Sequence, residues 1–287
     1  MRYGKKRAEF YAPDHASSEE IMKRAHIMGV GAHPDDLEIM ATPGIVDSFN
    51  AGGKQFFGVI LTNGGGSMRS GNYVGKSYIE MQDARMEEQK HASDIGSYSG
   101  LLFLEYESSE IKDTMHLEPN KDLKALFEAV QPDVIYLHHP FDRHDTHIAT
   151  SIRCISAIRA AIADTGWMPK QVFGAEGWNA LDWLSYSDRS ALAVKDKQEL
   201  TSRLIQAYKS QMMVDKSFDL AAKSRRIVNA SYQESSAMSM QHEIAFAVNM
   251  MPLFTEPQMK IEDFATQIIH HFQFEVTSRI SKYAKLI

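Results

Sequence analysis

Ala32-His33-Pro34-Asp35-Asp36 sets an imidazole and two adjacent carboxylates directly after an apolar run, His26 to Gly31, that reads as a short buried strand. A second cluster, His138-His139-Pro140-Phe141-Asp142-Arg143-His144-Asp145-Thr146-His147, follows another apolar run, Asp133 to Leu137. Imidazole nitrogen and carboxylate oxygen are ligands of zinc and similar divalent cations. One cluster alone would serve equally well as a polar turn in which Asp35 or Asp36 caps a helix. Two clusters after two strand-like runs favour a metal site, because ligands bind at the carboxyl ends of strands in an open α/β sheet. His15, His91, His116, His242, His270 and His271 have no such context and read as surface or locally bonded residues.

The elements that must position these side chains follow from the patterning. After the first cluster, Thr42-Pro43 has the form of an N-cap and N1 pair, so a helix should start there and end near Gly52-Gly53. Phe56 to Leu61 reads as a second strand. The glycine-rich loop from Thr62 to Gly75 lacks the Lys-Ser/Thr ending of a phosphate loop, so it reads as a substrate loop rather than a nucleotide site. A polar helix over Ser77–Ile95, a short strand over Leu101–Leu104 and a helix over Asn120–Val130 come next, the last with Leu123, Leu126, Phe127 and Val130 at helical spacing. Pro132 stops that helix before the strand that leads into the second cluster. Ile148, Ile152, Ile155, Ile158 and Ile162 then mark one face of a further helix. His144 and His147 stand three apart, and a helix starting at about Asp145 or Thr146 turns both toward the end of the sheet.

Strands alternating with helices imply parallel pairing and right-handed crossovers. The fold expected is α/β: a Rossmann-like, largely parallel sheet flanked by helices, with a C-terminal extension. Residues 1–25 read as a polar arm, 26–165 as the metal-binding core, and 166–287 as an extension of the same domain. In that extension Gln171–Glu176 suggests a strand, and Asp196–Gln211 and Asp219–Ala230 suggest helices. Arg226 and Asn229 share a face of the last, which reads better as a solvated face than as an anion site.

Composition narrows the function classes. The chain has 287 residues, 44% hydrophobic and 24% charged, with a formal net charge of -6. No basic run stands out, which weighs against nucleic acid as a partner. The basic stretch Met1–Phe10 lacks the apolar centre of a signal peptide, and no apolar run is long enough to span a bilayer. Cys154 is the only cysteine, and its helical setting suggests a buried thiol. These features favour the cytoplasm. Most of the 16 methionines read as core filler, with Met212-Met213 and Met250-Met251 as weaker candidates for a substrate or oligomer surface.

The motifs taken together resemble the PIG-L/LmbE-like deacetylase family, which includes the deacetylases of glycosylphosphatidylinositol, mycothiol and bacillithiol synthesis. His33 to Asp36 matches its His-Pro-Asp-Asp segment. His139, Pro140, Asp142, His144 and His147 match its later histidine-aspartate segment. Arg85, Glu88, Ala92 and Gly96, with Ile95, fit the helix between them. Thr62-Asn63-Gly64 fits a turn after the second strand, and Tyr208-Lys209-Ser210-Gln211 a later tyrosine-serine segment. The sequence departs from the family pattern at Thr146, where an Asp is usual, at Asn63, again for Asp, and at Leu37-Glu38, where the acid comes one position late. The orienting task of the missing Asp then falls to another group, with Asp145 and Asp142 as candidates.

The resemblance implies a zinc-dependent hydrolase that removes the acetyl group from an N-acetylglucosamine-type sugar. It implies His33, Asp36 and His147 as metal ligands, Asp35 as the base, and His144 as the group that stabilises the oxyanion or protonates the leaving amine. Arg85, Asn63 and Glu176 are the candidate substrate contacts; for Arg85 a pair with Glu88 on one helix face is an equal reading. Two His and one carboxylate also suit Fe2+, Co2+, Ni2+ or Mn2+. Rival functions are hydrolysis of another amide, on an acylated glycolipid or antibiotic, and a noncatalytic sugar-binding module. The residues carry no interface signature, although related enzymes often form homo-oligomers.

Overall fold

The computed structural model describes residues 3–49, 55–194, 197–212, 217–232 and 242–286. Among them are eight strands: β1 (Glu9–Tyr11), β2 (Ala25–Gly31), β3 (Gln55–Thr62), β4 (Gly100–Tyr106), β5 (Val134–His138), β6 (Gln171–Ala175), β7 (Arg189–Ala193) and β8 (Ile244–Asn249). They form one sheet in the order β1-β4-β3-β2-β5-β6-β8-β7. The five central strands, β4 to β6 in that order, are parallel; β1 pairs antiparallel with β4, and β8 with both β6 and β7. The chain steps from β2 to β3 to β4 in one direction, then returns to β5 and steps to β6 in the other. The strand order thus reverses between β2 and β5, and the carboxyl ends of these two strands flank the crevice where such sheets bind ligands.

The connecting helices are α1 (Ser18–Arg24), α2 (Asp36–Met40), α3 (Thr42–Ser48), α4 (Tyr78–Gly96), α5 (Ser108–Lys112), α6 (Glu118–Val130), α7 (Asp145–Thr165), α8 (Gln198–Gln206), α9 (Phe218–Ser231), α10 (Pro252–Thr255) and α11 (Ile261–Tyr283). Helices cover both faces of the sheet, so the central strands are apolar on both sides. Met28, Val30, Phe57, Val59, Ile135 and Leu137 point into a core completed by Leu123, Phe127, Ile155 and Ile158. Ile27, Phe56, Ile60 and Tyr136 point into the opposite core with Leu37, Ile45 and Leu204.

Several elements differ from the sequence-based expectation. Residues 3–25, within the stretch read as a polar arm, carry the edge strand β1 and the capped helix α1, whose Ile21 is buried. The first helix begins at Asp36, not Thr42. Thr42 is the first residue of a second short helix, with its hydroxyl donating to the Glu38 carbonyl at 2.6 Å. The expected stop at Gly52-Gly53 lies outside the described residues, as do Asp196 and Met213. The isoleucine face of α7 is only partly right: Ile152 is exposed, and Cys154, Ala157 and Ala161 complete the buried stripe around Ile155 and Ile158. The C-terminal part continues the sheet through β6, β8 and β7, of which only β6 was legible beforehand.

Two glycines let α2 sit close to the sheet. A Cβ on Gly58 would lie 2.5 Å from Leu101 Cδ2 and 2.7 Å from Leu37 Cδ1; one on Gly29 would lie 2.9 Å from Leu37 Cδ2. Leu37 therefore rests on bare backbone, which fixes the height of its neighbour Asp36. Gly58→Val should overpack this contact and destabilise the fold by about 1–3 kcal/mol. A lowered urea midpoint with an unchanged slope would bear this out; an unchanged midpoint would refute it.

Candidate metal centre

The turn after β2 and the loop after β5 meet at the strand-order reversal. His33 Nδ1 lies 3.3 Å from Asp36 Oδ2 and 3.3 Å from His147 Nε2, and His147 Nε2 lies 3.4 Å from Asp36 Oδ1. A tetrahedral zinc with bonds of about 2.0–2.1 Å separates its ligands by about 3.3–3.4 Å, and each imidazole stands at that separation from the other and from one oxygen of the Asp36 carboxylate, His33 from Oδ2 and His147 from Oδ1. The electrostatics agree. Burial opposes a charge on His147, yet Asp36 and Asp142 outweigh it and push the imidazole pKa up to about 10. Burial likewise opposes a charge on Asp36, but His147 and His138 hold its carboxyl well below the usual range. Two buried carboxylates thus call for positive charge at His147.

Asp142 supplies the orienting contact. Its Oδ2 is 3.2 Å from His147 Nδ1, so Nδ1–H donates to the carboxylate and Nε2 is left to face His33 and Asp36. Asp142 also accepts from the backbone N–H groups of Arg143, His144 and Trp178, at 2.6, 3.1 and 3.1 Å, which ties the loop together. Of the two candidates for the missing family Asp, it is Asp142 that contacts a cluster histidine; Asp145 is exposed. His138 was not singled out from sequence. It stacks on His147 with ring centroids 3.9 Å apart and lies 3.2 Å from Asp36 Oδ2. Its Nε2 accepts from the Ala32 N–H at 3.0 Å, which makes His33 the better third donor.

Asp35 stands beside the cluster in a strained conformation. Its φ of 99° lies in the left-handed region that favours glycine. It occupies the N-cap position of α2 but makes no capping hydrogen bond, so the simple helix-cap reading does not describe it. Arg85 Nη2 lies 3.0 Å from its Oδ2, and Gln89 Oε1 accepts its N–H at 3.1 Å. Burial raises the Asp35 pKa against the pull of Arg85, a direction that strengthens it as a base. Arg85 is itself buried and committed to chain groups: Asp35, Ser210 Oγ at 3.1 Å and the Pro34 carbonyl. Its expected pair with Glu88 is looser, at 3.8 Å.

Behind Asp35 lies a network that motif spacing did not reveal. Gln89 Nε2 donates to Glu38 Oε1 at 2.9 Å, and the hydroxyls of Tyr98 and Tyr208 donate to the two Glu38 oxygens, each at 2.6 Å. Burial pushes Glu38 up to about 7, with the three donors pulling it down. The network fixes the Gln89 amide so that its oxygen faces Asp35. Gln89→Leu should lower turnover about tenfold to a hundredfold by loosening the Asp35 turn, while bound metal stays stoichiometric. Unchanged kcat in a metal-replete variant would remove Gln89 from this role.

His33, Asp35, His144 and Thr146 line a polar cavity of about 380 Å³ with Asn63, Arg85 and Lys112. His144 precedes α7, its ring 5.0 Å from that of His33, and its buried Nδ1 has no hydrogen-bond partner among the described residues. Burial and the neighbouring His147 and His33 lower its pKa. Asn63 faces the cavity, but its Oδ1 accepts from Tyr78 Oη at 2.8 Å and from the Gly65 N–H at 3.0 Å. Glu176 does not line this cavity. Its oxygens accept from the Leu181 and Phe246 N–H groups and from Asn229 Nδ2, at 2.8, 3.0 and 2.7 Å. Arg226 and Asn229 are buried rather than solvated, because α9 packs on β8 and Arg226 pairs with Glu243 at 2.7 Å. Cys154 is buried and free, as expected. Among the described residues no helix is long and apolar enough to cross a membrane.

Comparison with known proteins places the fold and one segment of the chain beside others. A search of curated proteins finds no significant match. Among solved structures, a conserved protein of Thermus thermophilus aligns with TM-score 0.62 at 18% identity, covering 82% of this chain and 99% of that one. The N,N'-diacetylchitobiose deacetylase of Pyrococcus horikoshii aligns with TM-score 0.61 at 16% identity, covering 85% and 90%. The 4-carboxy-2-hydroxymuconate hydratase of Pseudomonas putida aligns with TM-score 0.58 at 15% identity, covering 80% and 97%. At these identities the likeness concerns the fold. Residues 28–158, the segment that carries His33, Asp35, Asp36, Asp142 and His147, match the PIG-L family model, that of GlcNAc-PI de-N-acetylases.

Proposed function

We propose that the protein is a metal-dependent hydrolase that removes the N-acetyl group from an N-acetylglucosamine-type sugar or sugar conjugate and releases acetate. The observation that carries this is the three-donor cluster of His33, Asp36 and His147 with Asp35 beside it, inside the segment that matches the PIG-L family model. Zinc suits the donor set; Fe2+, Co2+, Ni2+ and Mn2+ suit it too. When bound, such a cation polarises the amide carbonyl and makes a water acidic enough to attack near neutral pH.

The chain's own residues divide the remaining work. Asp35 takes the proton from the attacking water, held in place by Arg85 and Gln89. Arg85 is thus a positioning residue rather than a substrate contact. His144, across the cavity, donates to the oxygen that gains charge or to the nitrogen that leaves. Asn63, Ser67, Ser108, Lys112 and Gln211 offer polar groups to sugar hydroxyls. Glu176 acts as a strut between β6 and β8.

The Pseudomonas hydratase is a reminder that one scaffold serves more than one reaction. Acetate release from a panel of N-acetyl sugars, measured alongside metal content, therefore decides the matter. A metal-loaded protein that cleaves none of them would refute the proposal. Metal-free protein that binds the sugars without cleaving them would favour a binding module.

A further inference from the structure

Asp36 and Trp178, which border the polar cavity, also border a second one of about 220 Å³. Its chemistry is opposite. The walls are Ile39 and Met40 of α2, Phe218, Ala221 and Ala222 of α9, and Ala245 of β8. Its charged groups are largely spent on one another and on backbone. Arg226 pairs with buried Glu243, and both Glu176 oxygens are engaged by the donors described above. Arg225 and Arg143 donate to the carbonyls of Gly177 and Trp178, at 2.6 and 2.9 Å, and so brace the loop that carries the shared tryptophan. Two buried nitrogens in this wall, His138 Nδ1 and Arg226 Nη2, have no hydrogen-bond partner among the described residues.

An amide has two sides, and the centre at Asp36 has two unlike cavities. The polar one suits an amino sugar. An acetyl group needs no further space of this size: a cavity of about 150 Å³ already holds benzene, so 220 Å³ by proportion holds about nine such carbons and somewhat fewer of the bulkier methylenes. We propose that the apolar cavity receives the acyl side of the substrate amide, and that the preferred acyl chain has about six to eight carbons. This rests on the metal-dependent amide hydrolysis proposed above and departs from it in the acyl group, the acetyl amide being the slower substrate. In the reaction, water adds its oxygen to the acyl carbon, the C–N bond breaks, and the nitrogen leaves as the amine with a proton from that water. The products are a medium-chain carboxylate and an amino sugar.

The test uses the metal-loaded protein with glucosamines N-acylated by two, four, six, eight or twelve carbons, and measures glucosamine release. The expected result is a kcat/KM that rises about fourfold per methylene and turns down beyond about eight carbons. Ala222→Phe and Ile39→Phe, two independent ways of filling the cavity, should each lower the octanoyl-to-acetyl ratio at least tenfold. Octanoate should bind the unaltered protein in a calorimeter and bind the filled variants more weakly. Circular dichroism identifies a variant that has lost its fold, and the second variant then carries the comparison. If acetyl is cleaved best, or if filling the cavity leaves the ratio unchanged, the acyl-cavity proposal is overturned while the amide-hydrolase reading stands. If no N-acyl glucosamine is cleaved, that reading fails and this proposal with it. Octanoate binding that ignores both substitutions also overturns it.

Discussion

Replacing Asp35 with Asn is expected to lower turnover by a hundredfold or more while the protein keeps its metal. The amide cannot take a proton from water, and general-base catalysis is typically worth about a hundredfold to ten-thousandfold. Asp35 stands outside the donor triad of His33, Asp36 and His147, so its removal leaves those three distances to be set by other contacts. Asn retains an oxygen that can accept from Arg85, which limits the cost of leaving that buried guanidinium without its carboxylate. Steady-state kinetics and elemental analysis on the same sample separate the two effects. Near-normal turnover would remove Asp35 from the mechanism. A collapse of metal content would instead make it a ligand.

Replacing His33, Asp36 or His147 with Ala should abolish stoichiometric metal without unfolding the chain. The three side chains sit beyond the strand ends, where their loss removes donors rather than core volume. Each variant keeps only two donors of the triad, too few for a tightly held zinc. Asp142→Asn should be milder, weakening metal binding about tenfold to a hundredfold, since it loses the carboxylate that orients His147 while every ligand remains. Chelation should lower the melting temperature of the unaltered protein and leave the Ala variants unmoved, because an ion that binds only the folded state stabilises it. Full metal occupancy in all three Ala variants would show the ligand assignment to be wrong.

The residue order of the chain determined the parallel core and the address of the candidate site. Continuous apolar runs in β2, β3 and β5, with helical spacing between them, specify strands buried on both faces. A ligand crevice at their carboxyl ends follows from that order, and His33, Asp35, Asp36, His144 and His147 all fall at it. These signals are local: a run, a turn and a motif can each be read within ten residues. The edge strands β1 and β7, and β8 beside the latter, were not legible in this way. Each is at most six residues long and antiparallel to a neighbour, so its assignment depends on a partner elsewhere in the chain.

The polar interior was decided by tertiary structure alone. Glu38 meets Tyr208 across 170 residues of sequence, and Ala32 meets His138 across 106. Arg226 is buried against Glu243 although its helix looks amphipathic enough to be solvated. Asp142 takes the place of a missing neighbour at Thr146 because the loop folds its carboxylate onto His147, not because of its position in the motif. A side chain's type limits what it can donate, accept or ligate, and that much is written in the sequence. Which partner satisfies it depends on distance, and for residues so far apart along the chain only the packed sheet and helices set that distance.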